Sequence, residues 1–485
     1  MNNQLKWFHA IGACGKATAN VAKMFKDMGW FVTGTDLQFI PPASQILIDA
    51  QIPTEIGYHF SHLTKEFWEQ KLGTKLNIPE HPTLGLIVES ASSKNKEYLF
   101  AKKQNVDIRP FSQILRDYLV KPESIVVVGT AGKTTTTALT AFLLKELQLN
   151  PSYMIGADVI DFKDGLTNTN SNYSVLEGDE YYSKELSTGA KFLQYKPKYG
   201  IITKISWEHV DVYPTEEEYV NEFKKFVEII PADGLIIAKL HDSNIDLALE
   251  DFKASLLRYT YINNESEIKE AANCFYVKKT ESGYSILNSS KEVLVSGTTN
   301  LLGSYNLENI LAAFLVYSQI LKLTDFNLFA QIVTKFKGPK KRLEHLLKTE
   351  NLVVIDDFGV APERAANSLH TLKEAYPDYQ ITAVFEPNSG SRPTDKETFN
   401  KIYKDSFNNA HNLIIPTLSD TPNLIQTEEF VRNLQDLKFN VKYIPTENLL
   451  EELNNSIDNS KNLVVFFSAY RLTEIGHKFA QSKVN

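Results

Sequence analysis

Short continuous apolar runs alternate along the chain with longer stretches of helical spacing, and this succession predicts parallel sheets covered by helices. Lys6 to Ile11 reads as a strand, Ala17 to Met28 as a helix, and Trp30 to Thr35 as a second strand ending at Asp36. This βαβ unit continues to a strand at Leu84 to Val88, and a break holding Lys121-Pro122 closes the first block. The second block opens with the β-branched run Ile125 to Val128, then a turn, then a helix from Lys133 to about Leu147. Strands are expected at Tyr173 to Leu176 and Gly200 to Ile205. Thr215 followed by Glu216, Glu217 and Glu218 marks a helix start, where acids meet the positive end of the dipole. From Cys274 to Val295 short alternating runs broken by Ser, Gly and Asn predict antiparallel hairpins. After Gly338-Pro339 the alternation resumes with strand Leu352 to Ile355, helix Ala361 to Ala375, strand Ile381 to Phe385, helix Lys396 to Phe407, and strands Leu413 to Ile415 and Leu463 to Phe467. The fold class expected is α/β in three domains, at 1–120, 121–337 and 338–485: Rossmann-like at both ends, with a mixed α/β domain of phosphate-loop type between them.

Composition narrows the function classes. The 485 residues are 43% hydrophobic and 23% charged without long charge blocks, which fits packed multidomain structure rather than disorder. A net charge of −8 argues against general nucleic-acid binding, which needs a cationic face to displace counterions. Cys14 and Cys274 are the only cysteines and neither has metal-ligand spacing, so no disulfide framework is expected and a reducing compartment fits. The apolar runs are too short to span a bilayer and the start has no leader pattern, which places the chain in the cytoplasm with no membrane partner.

The candidate chemistry centres on Gly129-Thr130-Ala131-Gly132-Lys133-Thr134-Thr135, lying between a strand and a helix. That context aims backbone N–H groups and a helix N-terminus at an anion, Lys133 adds a positive charge, and the Thr134 hydroxyl suits Mg2+. Position 127 is Val127, so the loop has the shorter GTxGKTT form. Gly12-Ala13-Cys14-Gly15 also follows a strand, with Ala10 where a full dinucleotide fingerprint has glycine, and it reads either as a ligand turn or as a tight βα turn. Asp36 is placed to accept from a ribose or to cap the next turn. Glu177, in Val175-Leu176-Glu177-Gly178-Asp179-Glu180, can reach a metal held at the phosphate loop, and His209 keeps similar company. Arg342, after Gly338-Pro339, reads as a cation at a domain junction or as a solvated basic patch, and Asp356-Asp357 ends a strand of the third block.

These residues resemble the Mur ligase family over essentially the whole chain. GTAGKTTTT is similar to its ATP loop, LEGDEYY to its acidic metal segment, SYNLENILAA to its nucleotide-contacting helix, KKRLE to its linker arginine and DDF to its third-domain aspartate. The resemblance implies ATP and Mg2+ as cofactors and an amide bond formed through an acyl phosphate. It is strongest to the branch that joins UDP-N-acetylmuramate to L-alanyl-γ-D-glutamyl-meso-diaminopimelate in cell-wall recycling. The alternatives are the branch that adds L-alanine to the same sugar nucleotide and a nucleotide-binding homologue without catalysis. The chain would act as a monomer or homodimer.

Carried over, Lys133 and the loop amides would hold phosphates, Thr134 and Glu177 one Mg2+, and Glu177 and His209 a second. Asn306 and Asn309 would serve the adenine region, Arg342 the phosphates and Asp357 the ribose. Gly12, Ala13, Cys14, Gly15, Asp36 and Ser90 would face the UDP-sugar. The chain departs from the family pattern at Tyr305, Lys204-Ile205-Ser206, Val360 and Ser468-Ala469-Tyr470-Arg471.

Overall fold

Parallel strands need crossovers of a dozen or more residues, and the helical stretches between the apolar runs supply them. The computed structural model describes residues 4–88, 93–182, 189–209, 212–269, 273–419, 424–458, 460–469 and 471–483. They form two compact units, Met1–Thr299 with Tyr305–Phe336 and Asn300–Ser304 with Lys337–Asn485.

The first unit carries two sheets. Trp7–Ile11 (β1), Phe31–Asp36 (β2), Thr54–Ile56 (β3), Leu84–Ile87 (β4) and Ile108–Pro110 (β5) pair in the order β3-β2-β1-β4-β5, all parallel. The order reverses direction between β1 and β4, the place where such sheets open a crevice at their strand ends. The second sheet holds Glu123–Val128 (β6), Ser152–Met154 (β7), Leu166–Thr167 (β8), Tyr173–Glu177 (β9), Tyr199–Ile202 (β10), Leu235–Lys239 (β11), Ser255–Tyr261 (β12), Cys274–Lys279 (β13), Tyr284–Asn288 (β14) and Val293–Gly297 (β15). Its order is β15-β14-β13-β12-β11-β10-β6-β9-β7-β8, so β6 lies inside the sheet between β10 and β9. Strand β6 is buried from Ser124 to Val128, as expected of a parallel strand covered on both faces.

One apolar core runs through both sheets, from Phe8, Phe25 and Leu86 to Val126, Val128, Phe192 and Phe223. The amphipathic helix Phe111–Leu119 turns Phe111, Ile114, Leu115 and Leu119 inward at helical spacing. Helix Glu216–Glu228 starts where the acids predict, with the Thr215 hydroxyl accepting from Glu218 N at 3.2 Å. Among the described residues no helix is long and apolar enough to cross a membrane.

In the second unit Glu344–Lys348 (β16), Leu352–Asp357 (β17), Gln380–Phe385 (β18), Asn412–Ile415 (β19), Val441–Tyr443 (β20) and Asn462–Phe467 (β21) pair in the order β16-β17-β21-β18-β19-β20. Only β16 runs antiparallel, and helices cover separate cores on the two faces.

Three local differences from the sequence reading have physical causes. The strand expected to reach Ile205 ends at Ile202, because the Lys204 carbonyl turns to accept from Thr130 N at 2.8 Å. Strands β11 and β12 were not anticipated, and β12 mixes Arg258 and Thr260 into its apolar positions, which blurs its period. The helix expected to run to Phe407 ends at Tyr403, and Phe407 packs from the turns beyond it against Phe385.

Candidate functional site

The phosphate loop leaves β6 through Gly129 at φ +127, where a Cβ would stand 2.5 Å from Thr203 Oγ1 and 2.6 Å from Lys204 O. Glycine alone fits that approach. Thr130, Ala131 and Gly132 complete the turn, and Lys133, Thr134 and Thr135 open helix Lys133–Glu146. The first-turn N–H groups of a helix have no intrahelical partner, and there they are available to an anion.

Lys133 Nζ donates to both Glu180 oxygens, at 2.9 and 3.1 Å, and Glu180 is only 2% exposed. Glu180 Oε1 also lies 3.5 Å from His209 Nε2, and its carboxylate raises the His209 pKa above the ordinary imidazole value. One ligand atom each from Glu180, Glu208 and His209 lie within 4.8 Å of one another. Beside them Thr134 Oγ1 donates to Glu177 Oε1 at 2.9 Å, and Gly156 N donates to Glu177 Oε2 at 2.7 Å. Burial pushes the Glu177 carboxyl up, against the pull of these hydrogen bonds and of the Lys133 charge.

The Thr134 hydroxyl and the Glu177 carboxylate thus stand side by side as hard oxygen donors, the set that Mg2+ takes together with phosphate oxygens. The sequence reading paired His209 with Glu177, whereas the structure brings His209 to Glu180. Glu180 is the residue the sequence reading missed. It sits in the acidic run LEGDEY, but the loop after β9 has no periodicity from which to tell which acid turns inward.

Asn306 and Asn309, buried on helix Ser304–Leu315, come to the phosphate-loop helix. Asn309 Oδ1 accepts from Thr136 Oγ1 at 3.0 Å, and Asn309 Nδ2 donates to Asn306 Oδ1 at 3.0 Å.

In the second unit Asp357 ends β17. Its Oδ2 accepts from Leu343 N at 2.8 Å and its Oδ1 from Ser368 Oγ at 3.2 Å, while Arg342 is exposed nearby and its charge pulls the Asp357 pKa down. Burial outweighs these contacts and raises the Asp357 pKa from 3.8 to about 6. The folded carboxyl therefore binds its proton more tightly than the unfolded one. Its contribution favours folding fully below about pH 4 and is lost as the pH rises through about 6, a swing of ~3 kcal/mol. Asp357→Asn is expected to flatten the dependence of this unit's melting temperature between pH 4.5 and 7.5, measured by calorimetry. An unchanged slope would show that the burial cost lies elsewhere.

At the strand ends of the first sheet a cavity of about 710 Å³ is lined by Gly12, Cys14, Gly15, Asp36, Tyr58 and Lys96, among others. Gly12 has φ +83, and a Cβ there would stand 2.4 Å from Val88 Cγ2. Asp36 Oδ2 accepts from Cys14 N and Oδ1 from Leu37 N, both at 2.7 Å, so it pins the glycine turn while facing the cavity. Ala13 is buried in the turn and packs toward the core. Ser90 lies outside the described residues.

Residues 127–317 match the Mur ligase middle domain. The UDP-N-acetylmuramate–L-alanine ligase of Desulforapulum autotrophicum is 28% identical over 387 residues, covering 80% of this chain and 78% of that protein. The enzyme of the same name from Caldanaerobacter subterraneus is 24% identical over 99% of this chain and 98% of its own length. Among solved structures, the UDP-N-acetylmuramate-alanine ligase of Thermotoga maritima matches with a TM-score of 0.72 at 20% identity over 98% of both chains. A murein peptide ligase from Psychrobacter arcticus matches with a TM-score of 0.61 at 19% identity over the same share. With the phosphate loop, its paired carboxylates and the strand-end cavity in place along a chain matched nearly end to end, the protein belongs to the Mur ligase family of ATP-dependent amide ligases.

Proposed function

We propose that the chain joins the lactyl carboxylate of UDP-N-acetylmuramate to the amino group of L-alanyl-γ-D-glutamyl-meso-diaminopimelate, in the cytoplasm. The observation that carries the ligase chemistry is the convergence of Lys133, Thr134, Glu177, Glu180 and His209 at one helix N-terminus.

A carboxylate resists attack by an amine because it is already anionic and its oxygen is a poor leaving group. Transfer of the γ-phosphoryl group of ATP to that carboxylate makes an acyl phosphate. The amine then adds to the carbonyl, and the tetrahedral intermediate collapses as inorganic phosphate leaves. The loop amides of 129–135 and Lys133 hold the phosphates, with Lys133 exchanging Glu180 for phosphate oxygens, and Arg342 adds positive charge for the transferring group. Thr134 and Glu177 would hold Mg2+, which supplies positive charge to the phosphates, and His209 with Glu180 and Glu208 would hold a second ion. Asn306 and Asn309 brace the nucleotide end of the loop and Asp357 takes the ribose. Gly12, Cys14, Gly15 and Asp36, which line the strand-end cavity, take the UDP-sugar, and the buried Ala13 shapes the turn behind them.

The tripeptide is favoured as acceptor by the sequence resemblance and by Arg471. That guanidinium lies beyond β21, where it donates to Glu386 at 2.7 Å and stays 48% exposed. An exposed arginine there suits an acceptor bearing several carboxylates. The second reading, L-alanine as acceptor, is favoured by the relatives named above as L-alanine ligases.

Phosphate release from Mg-ATP and UDP-N-acetylmuramate separates the readings. Release with the tripeptide alone supports the first, release with L-alanine alone the second. Silence with both, alongside ATP binding, would leave a nucleotide-binding protein without this activity. UDP is also expected to slow alkylation of the Cys14 thiol by a maleimide, because that side chain lines the cavity.

A further inference from the structure

Beneath the strand-end cavity lies a carboxylate with no contact to solvent. Glu97, on helix Lys96–Lys103, is 0% exposed. Its Oε2 accepts from Thr35 Oγ1 at 2.6 Å and lies 3.5 Å from His9 Nε2. Its Oε1 accepts from His59 N at 3.1 Å and stands 2.7 Å from His62 Nδ1. His9 is held in turn by Thr33, whose hydroxyl lies 2.7 Å from its Nδ1. Burial opposes the charge on Glu97, yet the hydrogen bonds of His62, His9 and Thr35 outweigh it and hold the carboxyl at about 2.

A buried carboxylate is a costly way to join helix and sheet, because apolar packing of the same volume does so without desolvating a charge. The contacts of Glu97 have a pattern that packing alone would not supply. Thr35 directly precedes Asp36, His59 directly follows Tyr58, and Glu97 directly follows Lys96, and Asp36, Tyr58 and Lys96 all line the cavity. One carboxylate therefore ties together the three segments that form separate walls: the end of β2, the loop after β3 and the N-terminus of helix Lys96–Lys103.

We propose that Glu97 is a positioning residue that sets the spacing of the cavity walls for the nucleotide-sugar, acting through Thr35, His59 and His62 without touching the ligand. This rests on the reading of the cavity as the UDP-sugar site. The carboxylate needs both oxygens to bridge the walls. Glu97→Gln keeps the shape but removes the charge and one of the two acceptor oxygens: with the amide oxygen on His59 N, the NH2 group must donate to the Thr35 hydroxyl that now donates to Glu97, so the tie to the end of β2 is reversed and weakened.

Calorimetric titration of the full chain with UDP, and separately with ATP, tests the proposal. Glu97→Gln is expected to weaken UDP binding about tenfold, ~1.4 kcal/mol, with ATP affinity unchanged. In turnover the KM for the sugar nucleotide should rise by the same factor with kcat retained. Unchanged UDP affinity would overturn the proposal, and so would parallel loss of UDP and ATP affinity, the mark of general destabilisation. If Glu97→Gln does not fold, Thr35→Val and Thr35→Ser decide. Weakened UDP binding in the first with retention in the second supports the tie, and equal affinities overturn it. A wild-type chain that does not bind UDP removes the cavity reading itself, an outcome distinct from wild-type binding with an indifferent Glu97→Gln.

Discussion

Lys133→Met is expected to lower phosphate release by about 1000-fold, the cost of removing a preorganised positive group from a site where charge develops on a transferring phosphoryl group. The substitution also strips Glu180 of its lysine, leaving a carboxylate that is 2% exposed with the His209 imidazole 3.5 Å away. Some loss of stability should follow, since truncating one partner of a buried charge pair leaves the other uncompensated. The double variant Lys133→Met with Glu180→Gln separates the two effects. It should melt closer to the wild type while remaining inactive. Recovery of turnover in the double variant would mean that Lys133 matters only as the partner of Glu180, and the phosphate role would fall.

The second large effect is expected at Glu177. Glu177→Gln should lower kcat about 100-fold and raise the Mg2+ concentration needed for half-maximal rate, because a neutral amide is a weaker ligand than a carboxylate. Stability should move the other way. Burial raises the Glu177 pKa, so the charged form is disfavoured in the fold, and the neutral side chain removes that cost. The expected result is a melting temperature equal to or above that of the parent, measured beside the metal titration. An inactive variant that also melts early would point to lost packing around Gly156 and Thr134 instead.

What the sequence made legible follows from how local each signal is. The phosphate loop stood out because glycines, a lysine and threonines between a β-branched run and a helix leave few alternatives, and Gly129 and Lys133 sit where that pattern puts them. Strands β6, β17 and β21 read cleanly because both faces are buried and their residues are almost all apolar or β-branched. Glu180 and Glu97 were illegible for the opposite reason. Each is an acid among acids or lysines, and nothing within a few residues of LEGDEY or KNKEYLFAKK tells that the side chain turns inward. Their partners are distant in sequence: Lys133 lies 47 residues from Glu180, and Thr35 lies 62 residues from Glu97. Only the closed sheets bring them together. Asp36 belongs between these cases. Its position at a strand end was visible, but its grip on Cys14 N needed the turn to be seen.

The strand order of the second unit bears on how a ribosome-bound chain acquires its shape. Strand β21 pairs with β17 on one side and β18 on the other, so the strand that follows the other five of this sheet in sequence is one that fills its middle. Until residues beyond Asn462 have emerged, β17 and β18 each present an unpaired edge, and the long sequence separation of β17 from β21 makes their pairing a slow event. Truncation before Asn462 would therefore do more than shorten the unit. It would leave two half-sheets with exposed edges and an uncovered apolar face, a species suited to aggregation and proteolysis rather than to partial function.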